Sequence, residues 1–204
     1  MKSLPVFYPI LDAAYFGKPG ALLEAARELI AGGASLLQYR NKTGSARVML
    51  EQARELRHSL PANVQLIMND RADLCLAAEF NGVHLGQDDL SPESARKIIG
   101  PERWLGVSTH NADQLAIAEQ TSADYLAIGP IFSTASKQNP DPVVGIEGLQ
   151  TVRRLTRKKL VAIGGITRQN CRSVIEAGAD SVAVISDLVH APRKSAEEFF
   201  RILR

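Results

Sequence analysis

Two aspartates stand where apolar runs give out: Asp70 directly after Leu66-Ile67-Met68-Asn69, and Asp89 in the stretch His84-Leu85-Gly86-Gln87-Asp88-Asp89. Paired carboxylates from neighbouring segment ends, with cations opposite, suit Mg²⁺ shared with a phosphate-bearing substrate, because Mg²⁺ keeps several waters and takes few protein oxygens. The cations are present. In Gln38-Tyr39-Arg40-Asn41-Lys42, the alternate residues Gln38, Arg40 and Lys42 point the same way if the segment is extended. Residues 129–142 form a long connection without periodicity that carries Ser133, Thr134, Ser136 and Lys137, the composition of a binding loop or lid. Gly164-Gly165 and the pair Ile185-Ser186 add places where backbone N–H groups could meet an anion. Together these residues predict two phosphate regions, one linked to a metal and one built from backbone.

Each of these residues also has a structural reading. Asp70 could cap a following helix, and the charges around Arg40 could snorkel at an exposed strand end. Ser108 could donate to a phosphate oxygen or cap a helix near Asn111, a role for which Asn111 competes. Alternation sets His84 opposite Val83 and Leu85, which suits a hydrogen-bonded residue filling an interior. The Gly-Gly pair could serve packing or a turn. None of His58, His84, His110 or His190 has a partner at metal-ligand spacing, so zinc is not expected. Cys75 and Cys171 lie far apart in apolar surroundings without a CxxC, which predicts buried free thiols in a reducing compartment.

The elements that must position these groups are legible from periodicity. Short runs rich in Val, Ile and Leu occur at 6–11, 35–40, 64–69, 82–85, 104–107, 125–129, 160–163 and 181–185. Continuous apolar runs of this kind suit parallel strands covered on both faces. Amphipathic segments separate them: at 21–31, Leu22, Leu23, Ala26 and Ile30 share a face, and at 46–56, Met49, Ala53 and Leu56 do. Ser91-Pro92 opens a helix with a cap residue and a proline at its first position, and Gly100-Pro101 closes it. Eight such βα units in 204 residues average about 25 residues each, near the lower limit of the (β/α)₈ barrel. An open doubly wound sheet is the rival, but no GxGxxG follows the first strand. In a barrel, the polar residues above all fall at carboxyl ends of strands, where sites of this fold are built.

Composition narrows the partners. The 204 residues hold 24 basic and 22 acidic side chains, a net charge of +2, which excludes a nucleic-acid surface as the main theme. With 45% hydrophobic and 23% charged residues, the chain reads as one globular domain over 1–204. Pro5, Pro9 and Asp12 interrupt the apolar amino terminus, so no membrane partner is expected and the protein is expected in the cytoplasm.

Six motifs, in this order and spacing, resemble the thiamine-phosphate synthase family: QYRNK, NDRADLCLAAEFNGVHLGQDDL, GVSTH, GPIFSTASK, VAIGGI and VIS. They span most of the chain. The resemblance implies a (β/α)₈ barrel transferase that joins 4-amino-2-methyl-5-(diphosphooxymethyl)pyrimidine to a thiazole phosphate, carboxylated or not, releasing diphosphate and forming thiamine phosphate. It implies that Gln38, Tyr39, Arg40, Asn41, Lys42, Asn69, Ser108 and Lys137 hold the pyrimidine diphosphate, with Arg40, Lys42, Ser108 and Lys137 assisting the chemistry. Thr134, Ala135, Ser136, Gly165, Ile185 and Ser186 would hold the thiazole phosphate, and Asp70 and Asp89 the Mg²⁺. Ser136 departs from the family's usual threonine: it keeps the hydroxyl and loses the methyl. Two alternatives stand beside this reading. A related thiazole tautomerase lacks the full diphosphate and metal set, and a non-catalytic phosphate-binding barrel would not need it. Neither oligomeric state nor the preferred thiazole follows from the sequence.

Overall fold

The computed structural model describes residues 3–134 and 141–204. Eight strands run parallel: β1 Phe7–Asp12, β2 Leu36–Arg40, β3 Gln65–Asn69, β4 Gly82–Leu85, β5 Trp104–Thr109, β6 Tyr125–Ile128, β7 Lys159–Ile163 and β8 Ser181–Val184. They pair in chain order and close, with β1 against β8 through Phe7 opposite Val182 and Pro9 opposite Val184. Eight α-helices follow the strands: α1 Ala21–Ala31, α2 Ala46–Ser59, α3 Ala72–Ala77, α4 Pro92–Ile99, α5 Ala112–Glu119, α6 Gly145–Arg153, α7 Cys171–Glu176 and α8 Pro192–Leu203. The architecture is a single (β/α)₈ barrel, as the periodicity predicts, and the open-sheet alternative is excluded by closure.

Helix starts follow local chemistry. Ser91 Oγ accepts from Ser94 N at 3.2 Å with Pro92 at the first turn of α4, and Asn111 Oδ1 accepts from Gln114 N at 2.9 Å to start α5. Alternation along the strands sorts side chains into two apolar layers. Phe7, Leu37, Tyr39, Leu66, Met68, Val83, Leu105 and Leu126 face the helices, while Tyr8, Ile10, Leu36, Ile67, Trp104, Tyr125, Val161 and Ala183 fill the barrel interior. Cys75 and Cys171 are buried and unpaired, and burial pushes the Cys75 thiol up to about 12. Among the described residues, no helix is long and apolar enough to cross a membrane.

Two strand ends differ from the sequence reading in ways that matter. β1 runs on to Asp12, which is buried at 2% exposure, because Asp12 pairs with Arg40 of β2. β5 extends to Thr109, whose hydroxyl donates to Ala127 O at 2.8 Å and so holds its end to β6.

The interior is crowded enough to require glycine on β4. A Cβ at Gly82 would fall 2.4 Å from Trp104 Cβ and 2.5 Å from Trp104 O. Gly82→Ala should therefore lower stability by about 1–3 kcal/mol through overpacking. A urea midpoint shifted down at unchanged slope would bear this out, and an unshifted midpoint would refute it.

Candidate active site

At the carboxyl end of the barrel, β1 to β4 converge on a set of charged groups. Arg40, at the end of β2, forms an ion pair with buried Asp12. Lys42, half-exposed two residues further, pairs with Asp70. Asp70 sits just past β3 with φ of +63°, in the left-handed region that costs a non-glycine residue on the order of 1 kcal/mol, though Asp and Asn tolerate it best. Its backbone N–H donates to His84 O at 2.7 Å, which fixes the exit of β3 against β4. Asp89, in the loop after β4, accepts from Gly86 N at 2.7 Å and lies close enough to Asp70 to share a hydrogen bond.

Burial raises the Asp70 carboxyl, Lys42 opposes the rise, and the neighbouring Asp89 adds to it, leaving Asp70 at about 6. A buried carboxyl held beside a second carboxylate is a site that a hard cation would relieve. Among the described residues no three His, Cys, Asp or Glu side chains gather to enclose a metal. Asp70 and Asp89 could hold an ion that draws its other oxygens from water and substrate, as Mg²⁺ does. Next to them, buried Asn69 Nδ2 has no hydrogen-bond partner within the described protein, so a donor stands ready for a ligand atom.

The structural alternatives separate cleanly. Asp70 does not cap α3, since Arg71 holds the cap position and no side chain bonds there. Ser108 leaves capping to Asn111, and its Oγ meets His84 Nε2 at 2.8 Å. His84 fills the interior with its other nitrogen on Tyr125 OH at 3.0 Å. Within residues 38–42, Gln38, Arg40 and Lys42 bond to interior or mouth groups, whereas Tyr39 and Asn41 turn to the helix side. Tyr39 OH donates to Gln52 Oε1 at 2.6 Å, and Asn41 Oδ1 accepts from Gly44 N at 2.8 Å. Those two side chains shape the loop between β2 and α2 rather than reach the mouth.

Across the opening, the loops after β6, β7 and β8 pack together. Ile131 N donates to Ile163 O at 2.9 Å and Phe132 N to Gly164 O at 3.0 Å. Gly165 has φ of +63°, and a Cβ there would lie 2.5 Å from Ser133 O. The Gly-Gly pair is therefore required by the close approach of residues 130–133 to the β7 exit. Ile185 and Ser186 begin a 3-10 turn after β8. Ala135, Ser136 and Lys137 lie outside the described residues.

Sequence reasoning passed over two groups that hold this geometry. Asp12 both anchors Arg40 and accepts from Ala14 N at 3.0 Å, and a lone acid closing the apolar run at 6–11 was its signal. Arg168 clamps the β7 and β8 loops with a double contact to Asp187, 3.0 Å to each carboxylate oxygen, and also pairs with Glu198. Nothing in local sequence marks that clamp, because its partners are 19 and 30 residues away.

The carboxyl-end mouth, where sites of the (β/α)₈ fold are built, here holds a carboxylate pair, two cations and tightly packed glycine-bearing loops. A family model described as thiamine monophosphate synthase matches residues 7–188. A thiamine-phosphate synthase of Koribacter versatilis (strain Ellin345) is 63% identical over 204 residues, covering 98% of this chain and 97% of that one. Another, from Methanosarcina mazei, is 38% identical over 97% of this chain and 82% of its own. The solved thiamine phosphate pyrophosphorylase from Pyrococcus furiosus superposes with a TM-score of 0.83 at 33% identity, over 97% of this chain and 94% of that one. The chain belongs to the thiamine monophosphate synthase family, and it is an enzyme.

Asp70 gives a titration test of the site. Lys42→Met removes the opposing cation and should move the Asp70 pKa up from about 6, while Asp89→Asn removes the like charge and should move it down. Carboxyl NMR titration reads both shifts, and opposite signs would overturn the arrangement. Because the folded value of about 6 lies above the ordinary 3.8, the folded protein binds more protons in that window. In metal-free protein, the contribution of Asp70 to stability should fall as pH rises from about 4 to 6.

Proposed function

We propose that residues 1–204 form one catalytic domain that condenses 4-amino-2-methyl-5-(diphosphooxymethyl)pyrimidine with a thiazole phosphate, in carboxylated or plain form, giving thiamine phosphate and diphosphate, with the carboxyl of the carboxylated form leaving as CO2. The observation that carries the proposal is the adjacent Asp70–Asp89 pair set beside Lys42 and Arg40 at one mouth. Asp70 and Asp89 would hold Mg²⁺, which when bound neutralises charge on the leaving diphosphate.

The chain's own residues bind and orient. Lys42, Arg40 and Lys137 neutralise diphosphate oxygens, and Asn69 Nδ2 donates to a ligand acceptor. Gln38 and Ser108 hold the pyrimidine, while Thr134, Ser136, Gly165, Ile185 and Ser186 receive the thiazole phosphate. The bond between the pyrimidinylmethyl carbon and the diphosphate oxygen breaks with its electron pair leaving on diphosphate. The resulting cation is stabilised by the electron-rich aminopyrimidine, and the thiazole nitrogen then forms the new C–N bond. Such a reaction needs electrostatic stabilisation of the leaving group and exclusion of water rather than a protein nucleophile. Its partners would be these small molecules, and its setting the cytoplasm.

The decisive experiment incubates the purified protein with Mg²⁺ and both phosphorylated substrates, with and without chelator. Thiamine phosphate and diphosphate should form only with Mg²⁺. No product from folded protein would refute the proposal. Asp70→Asn tests the metal role more finely. Asn tolerates the left-handed backbone and removes a desolvated charge, so unfolding stability should hold or rise while kcat falls by about 10²-fold or more. Parallel loss of stability and turnover would instead make Asp70 a structural residue.

A further inference from the structure

A hydrogen-bonded chain crosses the barrel interior and joins two residues of the site. Gln38 Nε2 donates to Tyr8 OH at 2.9 Å, Tyr8 OH meets Tyr125 OH at 2.7 Å, Tyr125 OH meets His84 Nδ1 at 3.0 Å, and His84 Nε2 meets Ser108 Oγ at 2.8 Å. Its five members come from β2, β1, β6, β4 and β5. The three central side chains are buried, with exposures of 1% for Tyr8, 0% for Tyr125 and 8% for His84.

Proton counting gives this chain a direction. Tyr8 has one hydroxyl hydrogen. The Gln38 amide nitrogen cannot accept it, so it goes to Tyr125. Tyr125 OH, already accepting, sends its own hydrogen to His84 Nδ1. A neutral imidazole that accepts at Nδ1 carries its proton on Nε2, and Nε2–H therefore donates to Ser108 Oγ. Among the described residues, neither Gln38 Oε1 nor the Ser108 hydroxyl hydrogen has a further partner, so both are left for a ligand.

Gly106 makes room for the turn in this chain. A Cβ there would fall 2.1 Å from Tyr125 Cζ and 2.4 Å from His84 Nδ1, so only glycine lets ring and imidazole meet.

We propose that Tyr8, Tyr125 and His84 are positioning residues that present Gln38 as a hydrogen-bond acceptor and Ser108 as a donor, so that this part of the mouth selects a ligand edge with an amino donor and a separate acceptor atom. The identity of that ligand as the aminopyrimidine rests on the function proposed above; the order of the chain does not. The reverse order, with the Gln38 amide turned over, would put the imidazole proton on Nδ1 and reverse the polarity of both residues.

Nitrogen-15 NMR of the full, ligand-free protein at neutral pH reads the order directly, with His84 assigned by comparison with His84→Gln. The expected result is a neutral ring protonated on Nε2. A ring protonated on Nδ1, or on both nitrogens, overturns the proposal whether or not the protein makes thiamine phosphate. Tyr125→Phe, checked for folding by thermal melting, should mix the two His84 tautomers and raise KM for the pyrimidine diphosphate about tenfold. KM for the thiazole phosphate should stay within about twofold, a split that general loosening of the core would not produce. A single unchanged tautomer with unchanged pyrimidine KM in that variant also overturns the proposal. If Tyr125→Phe does not fold, the tautomer of the unsubstituted protein decides alone.

Discussion

Closure of a parallel sheet forces every second side chain of eight strands onto one narrow axis, and most of this protein's organisation answers that constraint. The lower interior is filled by Leu36, Ile67, Trp104 and Val161, and glycines at 82 and 106 yield space to Trp104 and Tyr125. Polar side chains that point inward cannot reach bulk water there, so each must find a partner or face a ligand. Tyr8, Gln38, His84, Tyr125 and Ser108 find one another in a single chain. Asp12 finds Arg40, and the hydrophobic interior thereby passes into a charged mouth within one layer of residues.

At that mouth, local energies run against stability. Asp70 combines a left-handed backbone, a partly desolvated carboxyl and a like-charged neighbour, three features that the fold alone gives no reason to keep together. Lys42 offsets part of the charge cost. Under the function proposed above, a cation bound there would relieve the carboxylate repulsion that is unfavourable in the free protein. The opposite side of the mouth is built differently. There Arg168 bridges Asp187 and Glu198, and the Gly-Gly turn lets the β6 loop rest on β7, so that backbone groups are held firmly without stored charge.

Most of the strands and the mouth residues on them were legible because their signals are local. An apolar run ending in Asn69-Asp70 reads the same in the sequence as in the barrel, and so do the Ser91-Pro92 helix start and the Asn111 cap. Residues whose role depends on a distant partner were not legible. The Asp12–Arg40 pair spans 28 residues, the Arg168–Glu198 pair spans 30, and the Tyr8–Tyr125 contact spans 117. Tyr39 and Asn41 illustrate the converse: sequence places them between site residues, but strand alternation carries their side chains to Gln52 on α2.

The sequence by itself determined the number and order of βα units, the end of the barrel where chemistry-bearing residues gather, and the residue types that suit diphosphate and Mg²⁺. These follow from periodicities of two and 3.6 residues and from the chain order of short motifs. Tertiary structure decided where several of the polar side chains sit. It took Asp70 and Ser108 away from helix capping, paired the cations with particular carboxylates and set His84 between Tyr125 and Ser108. Those outcomes depend on strand register and barrel closure, which bring together groups that no local pattern relates.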